Sequence, residues 1–163
     1  MLKSLLLSFA LLFVISTTKA QQNVFLTITN KLGNTPFAFN QVAQNNLMQN
    51  FKITRMDYYI SSIIIIHDGG QEIPVPSKYI LAHADANNVE NLGTFNVTNV
   101  EGIKFSIGVD GSLNNSDPSL QAPGSPLYFQ SPSMHWGWAS GYFFSTLEGL
   151  AGANLTTIFK CIV

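Results

Sequence analysis

One uninterrupted apolar run constrains the fold of this 163-residue chain more than any other feature. The segment from Phe51 to Ile66 is extended in character, and its end, Tyr58-Tyr-Ile-Ser-Ser-Ile-Ile-Ile-Ile66, is apolar on both faces. Successive side chains of a strand point to opposite faces, so both faces of such a strand must be covered. The run therefore predicts a central strand in the middle of a sheet.

Shorter strand signals surround this run. They are rich in β-branched or aromatic residues and are separated by turns containing Gly, Pro or Asn. The predicted strands are 23–30, 71–75 as an edge strand, 78–83, 102–108, the region around 142–144, and 154–163. A polar stretch, 85–99, and one long ordered loop, 110–132, connect them. This pattern predicts an all-β fold, an antiparallel, immunoglobulin-like β-sandwich.

The N-terminal segment is typical of a cleavable signal peptide. Lys3 supplies a positive charge, and the apolar stretch from Leu5 to Ile15 is too short to span a bilayer. The small residues Thr18 and Ala20 predict cleavage after residue 20. We therefore expect a periplasmic or secreted protein without a membrane span.

The remainder, residues 21–163, is predicted to form a single domain. Its last residues, Phe159 to Val163, stop in mid-strand without a turn, so a domain lacking C-terminal strands is weighed against a complete one. Eight basic residues stand against nine acidic ones, and no Lys/Arg cluster could neutralise several phosphates. Nucleic acid is accordingly excluded as an expected partner.

The segment Met134-His-Trp-Gly-Trp138 concentrates groups that could carry chemistry. Thioether and imidazole are ligand types that suit copper. In an extended strand, His135 points away from Met134, Trp136 and Trp138, which makes His135 the better candidate ligand. The alternative is that His135 is merely hydrogen-bonded and its neighbours are core or stacking residues.

Three further residues are secondary candidates for a metal site. His67 follows the central strand and His83 ends a later one, although each could be an ordinary polar residue at a strand end. Cys161 is the only cysteine, so it is free, intermolecular or a ligand.

Oxygen ligands of the kind that calcium takes cluster in the long loop, at Asp110, Asn114, Asn115 and Asp117. Their spacing is not that of an EF-hand, and turn chemistry explains them equally well. The chain contains no Gly-x-Ser-x-Gly, no His-Glu-x-x-His and no phosphate-binding glycine loop. These absences favour a non-enzymatic protein.

Several segments together resemble the MbnP-like copper-binding family. They are Met56–Ser62, Lys78–Leu81, Phe105–Asp110, Met134–Tyr142 and Leu147–Gly149. The resemblance covers nearly all of residues 21–163.

The resemblance implies an exported β-sandwich that binds copper, often as Cu(I), through histidines near an oxidisable tryptophan. Some relatives carry that tryptophan as kynurenine, and some are paired with di-haem cytochrome peroxidase-like proteins. The family often has a histidine in the strand where Cys161 stands here.

We therefore expect an exported, non-enzymatic copper-binding protein. Its primary ligand would be His135, with Met134, Trp136, Trp138 and Cys161 as its surroundings. The alternative is a metal-free recognition module for a glycan or protein partner, built on the aromatic segment and the long loop.

Overall fold

The computed structural model describes residues 21–111, 113–137 and 140–163. The predicted signal peptide, residues 1–20, and the candidate Trp138 lie outside this part of the chain. The described residues form strands, turns and one 3-10 turn, Pro118–Leu120, with no α-helix among them. The strands are β1 Gln22–Ile28, β2 Lys31–Leu32, β3 Thr35–Pro36, β4 Ala43–Gln44, β5 Asn50–His67, β6 Gln71–Pro74, β7 Ile80–His83, β8 Asn88–Phe95, β9 Val100–Ile107, β10 His135–Gly137, β11 Gly141–Tyr142, β12 Ser145–Ala151 and β13 Thr157–Ile162.

Strand β5 is the centre of the fold, as its apolar sequence predicts. It pairs antiparallel with β4, β6, β7, β9 and β12, and β13 extends the sheet beyond β12. Strands β1 and β8 form a separate two-stranded sheet that packs over one face of this large sheet. The prediction of an all-β antiparallel sandwich is thereby confirmed.

A bulge within β5 determines which isoleucines reach the core. Ser62 has a φ of +51°, and the register with β9 shifts between Ser61 and Ile64. The extra residue places Ile60, Ile63 and Ile65 in one buried cluster. These side chains pack against residues of β1 and β8, namely Val24, Leu26, Ile28, Leu92 and Phe95.

The opposite face of β5 is covered by the long loop and the β10–β11 pair. Tyr59 is fully buried there with Leu127, Met134, Tyr142 and Phe143. The described residues of the 110–132 loop thus cover this face of the sheet, and Leu127 contributes to the core. This arrangement brings the Met134–Gly137 segment over the first half of β5.

The prediction that residues 85–99 form a polar connection without a strand was wrong. The polar stretch from 85 to 99 contains an eight-residue strand, β8, which pairs with β1 along its whole length. Asn91 and Val89 are exposed, Glu90 is partly buried and pairs with Lys78, and Leu92 is buried, so the strand lacks a clean alternation of apolar and polar residues. Pairing with a distant strand overrides the low strand propensity of this segment.

Strand boundaries near the aromatic segment also differ from the prediction. Tyr142 ends a two-residue strand, and the longer strand β12 begins only at Ser145. No helix in the described part of the chain is long and apolar enough to cross a membrane.

Candidate functional site

The candidate ligand His135 begins β10, a short strand held against β11. His135 pairs with Tyr142, and the amide of Phe143 donates to the carbonyl of Met134 at 2.9 Å. The hydroxyl of Ser133 accepts from the amide of His135 at 3.1 Å and donates to its carbonyl at 3.0 Å. These contacts fix the backbone of the segment on both sides of the imidazole.

The imidazole of His135 is held by one hydrogen bond and one aromatic contact. Its Nδ1 accepts from the amide of Gly137 at 2.9 Å, and its ring meets that of Tyr142 edge-on with centroids 4.7 Å apart. The other nitrogen, Nε2, is buried and has no hydrogen-bond partner among the described residues. Buried polar atoms normally have a partner, so this nitrogen marks a candidate binding point.

Met134 lies in a different environment from His135. Its side chain is almost completely buried, and Nη2 of Arg55 donates to its sulfur at 3.2 Å. The same nitrogen donates to the carbonyls of Pro132 and Ser133 at 3.3 and 3.0 Å. Arg55 therefore anchors the segment immediately before His135, and its positive charge lies beside the thioether.

Trp136 is the described indole of the aromatic segment. Its side chain is 55% exposed, and its ring contacts Phe143 edge-on with centroids 4.5 Å apart. Its indole therefore packs on Phe143, whereas the imidazole of His135 packs on Tyr142. Trp138 belongs to the residues that the structure does not describe.

A chain of five charged or ionisable side chains crosses four strands on this face of the sheet. Lys160 donates to Glu148 at 2.9 Å, and Arg55 reaches the same carboxylate at 3.4 Å. Nε of Arg55 donates to Asp57 at 2.7 Å, and Asp57 accepts from Nδ1 of His83 at 2.8 Å. Lys160, followed by Arg55, holds the pKa of Glu148 below its usual value.

His83 is the last residue in this series of contacts and lies at the surface. Its side chain is 50% exposed, whereas that of Asp57 is 8% exposed. Both residues line a pocket of about 290 Å³ that Met134 also lines. The structure thereby brings two sequence candidates, His83 and Met134, to one pocket, while His135 faces Tyr142.

The remaining candidates lie elsewhere. His67 ends β5 in a buried position, with Nδ1 3.2 Å from Asp68. Cys161 is exposed on β13, beside an apolar groove that Met56 and Leu147 also line. Across residues 21–111, 113–137 and 140–163, no three His, Cys, Asp or Glu side chains are grouped so that they could hold a metal ion.

Three of the four loop residues considered for calcium, Asp110, Asn114 and Asp117, accept structural hydrogen bonds. Asp110 accepts from the hydroxyl of Tyr79 at 2.7 Å, and Asn114 accepts from the amide of Tyr142 at 3.1 Å. Asp117 caps the 3-10 turn by accepting from the amide of Ser119, which lowers the pKa of Asp117. The Asp117 contact is local turn chemistry, whereas those of Asp110 and Asn114 join the loop to distant residues.

Sequence reasoning missed Arg55 and Asp57. Both are charged residues inside an otherwise apolar strand, and charged side chains are rarely buried without a partner. The occurrence of charged residues within an apolar strand was the sequence feature that could have revealed them. Their partners Glu148 and His83 lie far away in the chain and meet them only through strand pairing.

Comparison with known proteins assigns the chain to a family. The MbnP family model matches residues 21–161. The solved structure of MbnP from Methylosinus trichosporium superposes with a TM-score of 0.67 at 16% sequence identity, covering 88% of this chain and 62% of that one. This chain thus spans less than two thirds of that protein's length, and no curated protein matches it. The match to the family model extends over almost every described residue, and the chain belongs to the MbnP family.

Proposed function

We propose that this protein is an exported, non-enzymatic copper-binding protein of the periplasm or cell exterior, and that His135 binds copper as Cu(I) through Nε2. Family membership supports the copper chemistry, and the signal-peptide pattern of residues 1–20 supports export. The single observation that carries the site assignment is the buried, unpartnered Nε2 of His135.

The hydrogen bond at Nδ1 of His135 determines the protonation of Nε2. Because Nδ1 accepts from Gly137, the neutral ring carries its proton on Nε2. A buried donor without an acceptor costs about 1–3 kcal/mol. A metal-bound histidine is a neutral imidazole, so His135 can bind a metal through Nε2 only when this proton moves to Nδ1, and the Gly137 amide must then turn away.

The surroundings of His135 limit the donor set. Met134 is the nearest soft ligand in sequence, but the guanidinium of Arg55 lies against its sulfur and repels a cation. We therefore leave Met134 out of the proposed donors. The ring of Tyr142 packs edge-on against the imidazole.

Cu(I) titration of the purified protein tests this proposal. The titration is run under reductant against a Cu(I) chelator and is read by elemental analysis. We expect one equivalent in the parent, loss of binding in His135→Ala and full binding in His83→Ala, because His83 does not contact His135. Equal affinity of His135→Ala and the parent would refute the assignment of His135.

An amide spectrum supplies an independent readout of the same site. If Nε2 binds copper and the ring proton moves to Nδ1, the Gly137 amide loses its acceptor, and its ¹H–¹⁵N resonance should shift strongly on Cu(I) addition. An unchanged Gly137 resonance at full copper occupancy would count against the proton transfer.

A recognition module is the second candidate, favoured by two exposed aromatic side chains. Trp136 and Phe129 are 55% and 60% exposed. Exposed aromatic groups of this kind serve as anchors for protein partners. A di-haem cytochrome peroxidase-like protein is the partner that the family resemblance suggests. If the folded parent binds no copper, this candidate takes first place.

A further inference from the structure

The two sheets of the sandwich differ in width, and the wider one has an apolar area that the narrow one leaves uncovered. The strands β9 and β12 pair with the same edge of β5, opposite β7, and β13 extends the sheet beyond β12. Phe105 and Ile107 of β9 point to the face that carries Ile60, because Ile107 is the cross-strand partner of Ile60. Ile60 is buried under the narrow sheet, whereas Phe105 and Ile107 are 48% and 50% exposed.

This uncovered area continues from β9 to β13. The register places Leu147 of β12 opposite both Met56 and Cys161, so these three side chains share a face. Together with Ile107 and Tyr58 they line a groove of about 400 Å³. We define the open face as Met56, Phe105, Ile107, Leu147 and Cys161.

The free edge of β1 borders the open face. Over Gln22–Ile28, β1 pairs with β8, and among the described strands none pairs with its other edge. Phe25 and Leu26 line a groove with Val100 and Ile103 of β9, which places this edge above β9. Strand β1 contains no charged residue and no proline, the residues that keep sheet edges of natural proteins from pairing. Its edge is therefore available to another strand.

From this geometry we propose that the open face is a dimer interface that a second copy of this chain covers. A two-fold axis brings the same surface of both copies together, so a charged face would repel itself. The open face carries no charged side chain. Asp57, the one charged residue among the described lining of its groove, has its two carboxylate oxygens bonded to Arg55 and His83. A net charge of −1 adds little repulsion between whole chains.

Two inverted copies satisfy both uncovered features at once. The open face of each copy covers that of the other, and the wide sheet of each lies beside the free β1 edge of its partner. Every contact then occurs twice, and the assembly closes at two chains. The open face lies on the side of β5 opposite the Met134–Gly137 segment, so the dimer is independent of the copper site proposed at His135.

Size-exclusion chromatography with light scattering, run under reductant over a series of protein concentrations, tests the proposal. We expect the mass of two chains at high concentration and of one chain after dilution. Phe105→Glu and Leu147→Glu each bury two carboxylates per dimer, so the dissociation constant should rise by at least about 100-fold. Ile158→Glu is the matched control and should dimerise like the parent, because Ile158 is exposed on the face of β13 opposite Cys161.

The reactivity of Cys161 supplies a second readout. It is the only cysteine, and it is exposed in the single chain. Its rate of modification by a thiol reagent should fall as the dimer forms and should recover in Phe105→Glu. Thermal melts followed by circular dichroism verify that each variant is folded.

Three outcomes would overturn the proposal. A monomer at every concentration would leave the open face to a different polypeptide. Growth beyond two chains would show a contact that does not close. A dimer that folded Phe105→Glu and Leu147→Glu form as readily as the parent would move the interface to another surface.

Discussion

Gly149 illustrates how a single residue can set the spacing of three strands. It pairs with Ile53 of β5 and Phe159 of β13, at a point where the register with β5 shifts. A Cβ at this position would overlap the carbonyl oxygen of Lys52 and the ring of Phe159. The overlap with backbone cannot be relieved by rotating a side chain, so the strands themselves would have to separate.

Substitution of this glycine should therefore be costly. We expect Gly149→Ala to lower the free energy of unfolding by about 1–3 kcal/mol, because the added methyl overpacks the strand junction. Gly111→Ala is the matched control, since a Cβ there meets no atom within 4 Å. Urea denaturation measures both, and equal midpoints would show that the sheet absorbs the methyl group freely.

At the scale of elements, β5 carries most of the apolar contact between the two sheets. The bulge at Ser62 aligns Ile60, Ile63 and Ile65 on the face that β1 and β8 cover. Ile64 and Ile66 point the other way and are half-buried. Without the bulge, strict alternation would place Ile63 and Ile65 opposite Ile60.

Removal of one isoleucine from this cluster tests the role of the element. Ile63→Ala should destabilise the protein by about 2–5 kcal/mol, because Ile63 is 1% exposed and the cavity cannot easily close. Ile158→Ala on β13 is the comparison, since Ile158 is 79% exposed and should change stability by less than about 0.5 kcal/mol. Similar losses in the two variants would contradict the assignment of the core.

At the scale of the whole molecule, tyrosine hydroxyls tie the long loop to the sheet. Tyr59 donates to the carbonyl of Pro126 at 2.8 Å, and Tyr142 donates to that of Leu127 at 2.6 Å. Tyr79 donates to Asp110 at the start of the loop. Burial raises the pKa of both Tyr59 and Tyr142 above the usual value.

These shifts predict a loss of stability in alkaline solution. A raised pKa in the folded state means that the folded protein keeps its phenolic protons while the unfolded chain loses them. The stabilisation is therefore complete below the unfolded pKa, about 10, and is lost as pH rises above it. Urea unfolding between pH 8 and 11 should show the decline, and Tyr59→Phe should reduce its slope. A stability that stays flat over this range would disprove the linkage.

Local pattern was sufficient to predict the class of fold, and it singled out His83 and His135 as candidate ligands. The apolar run predicted a central strand because consecutive apolar residues point to both faces of a strand, and both faces must then be buried. Pro74 within 71–75 and Pro76 just after it predicted an edge strand, and among the described strands β6 pairs only with β5. The resemblance carried by the dispersed segments identified the family, which the family model confirms.

The features that the sequence did not predict depend on which distant strands pair. The Asn-rich β8 became a strand because β1, more than sixty residues earlier, supplies its hydrogen bonds. Likewise, Arg55, Asp57 and His83 form one contact chain only because β5 pairs with β7 in this register, and a shift of one residue would turn them to opposite faces. Alternation along a strand is local, so sequence determined which side chains share a face; register between strands is long-range, so only the tertiary structure decided which of them touch.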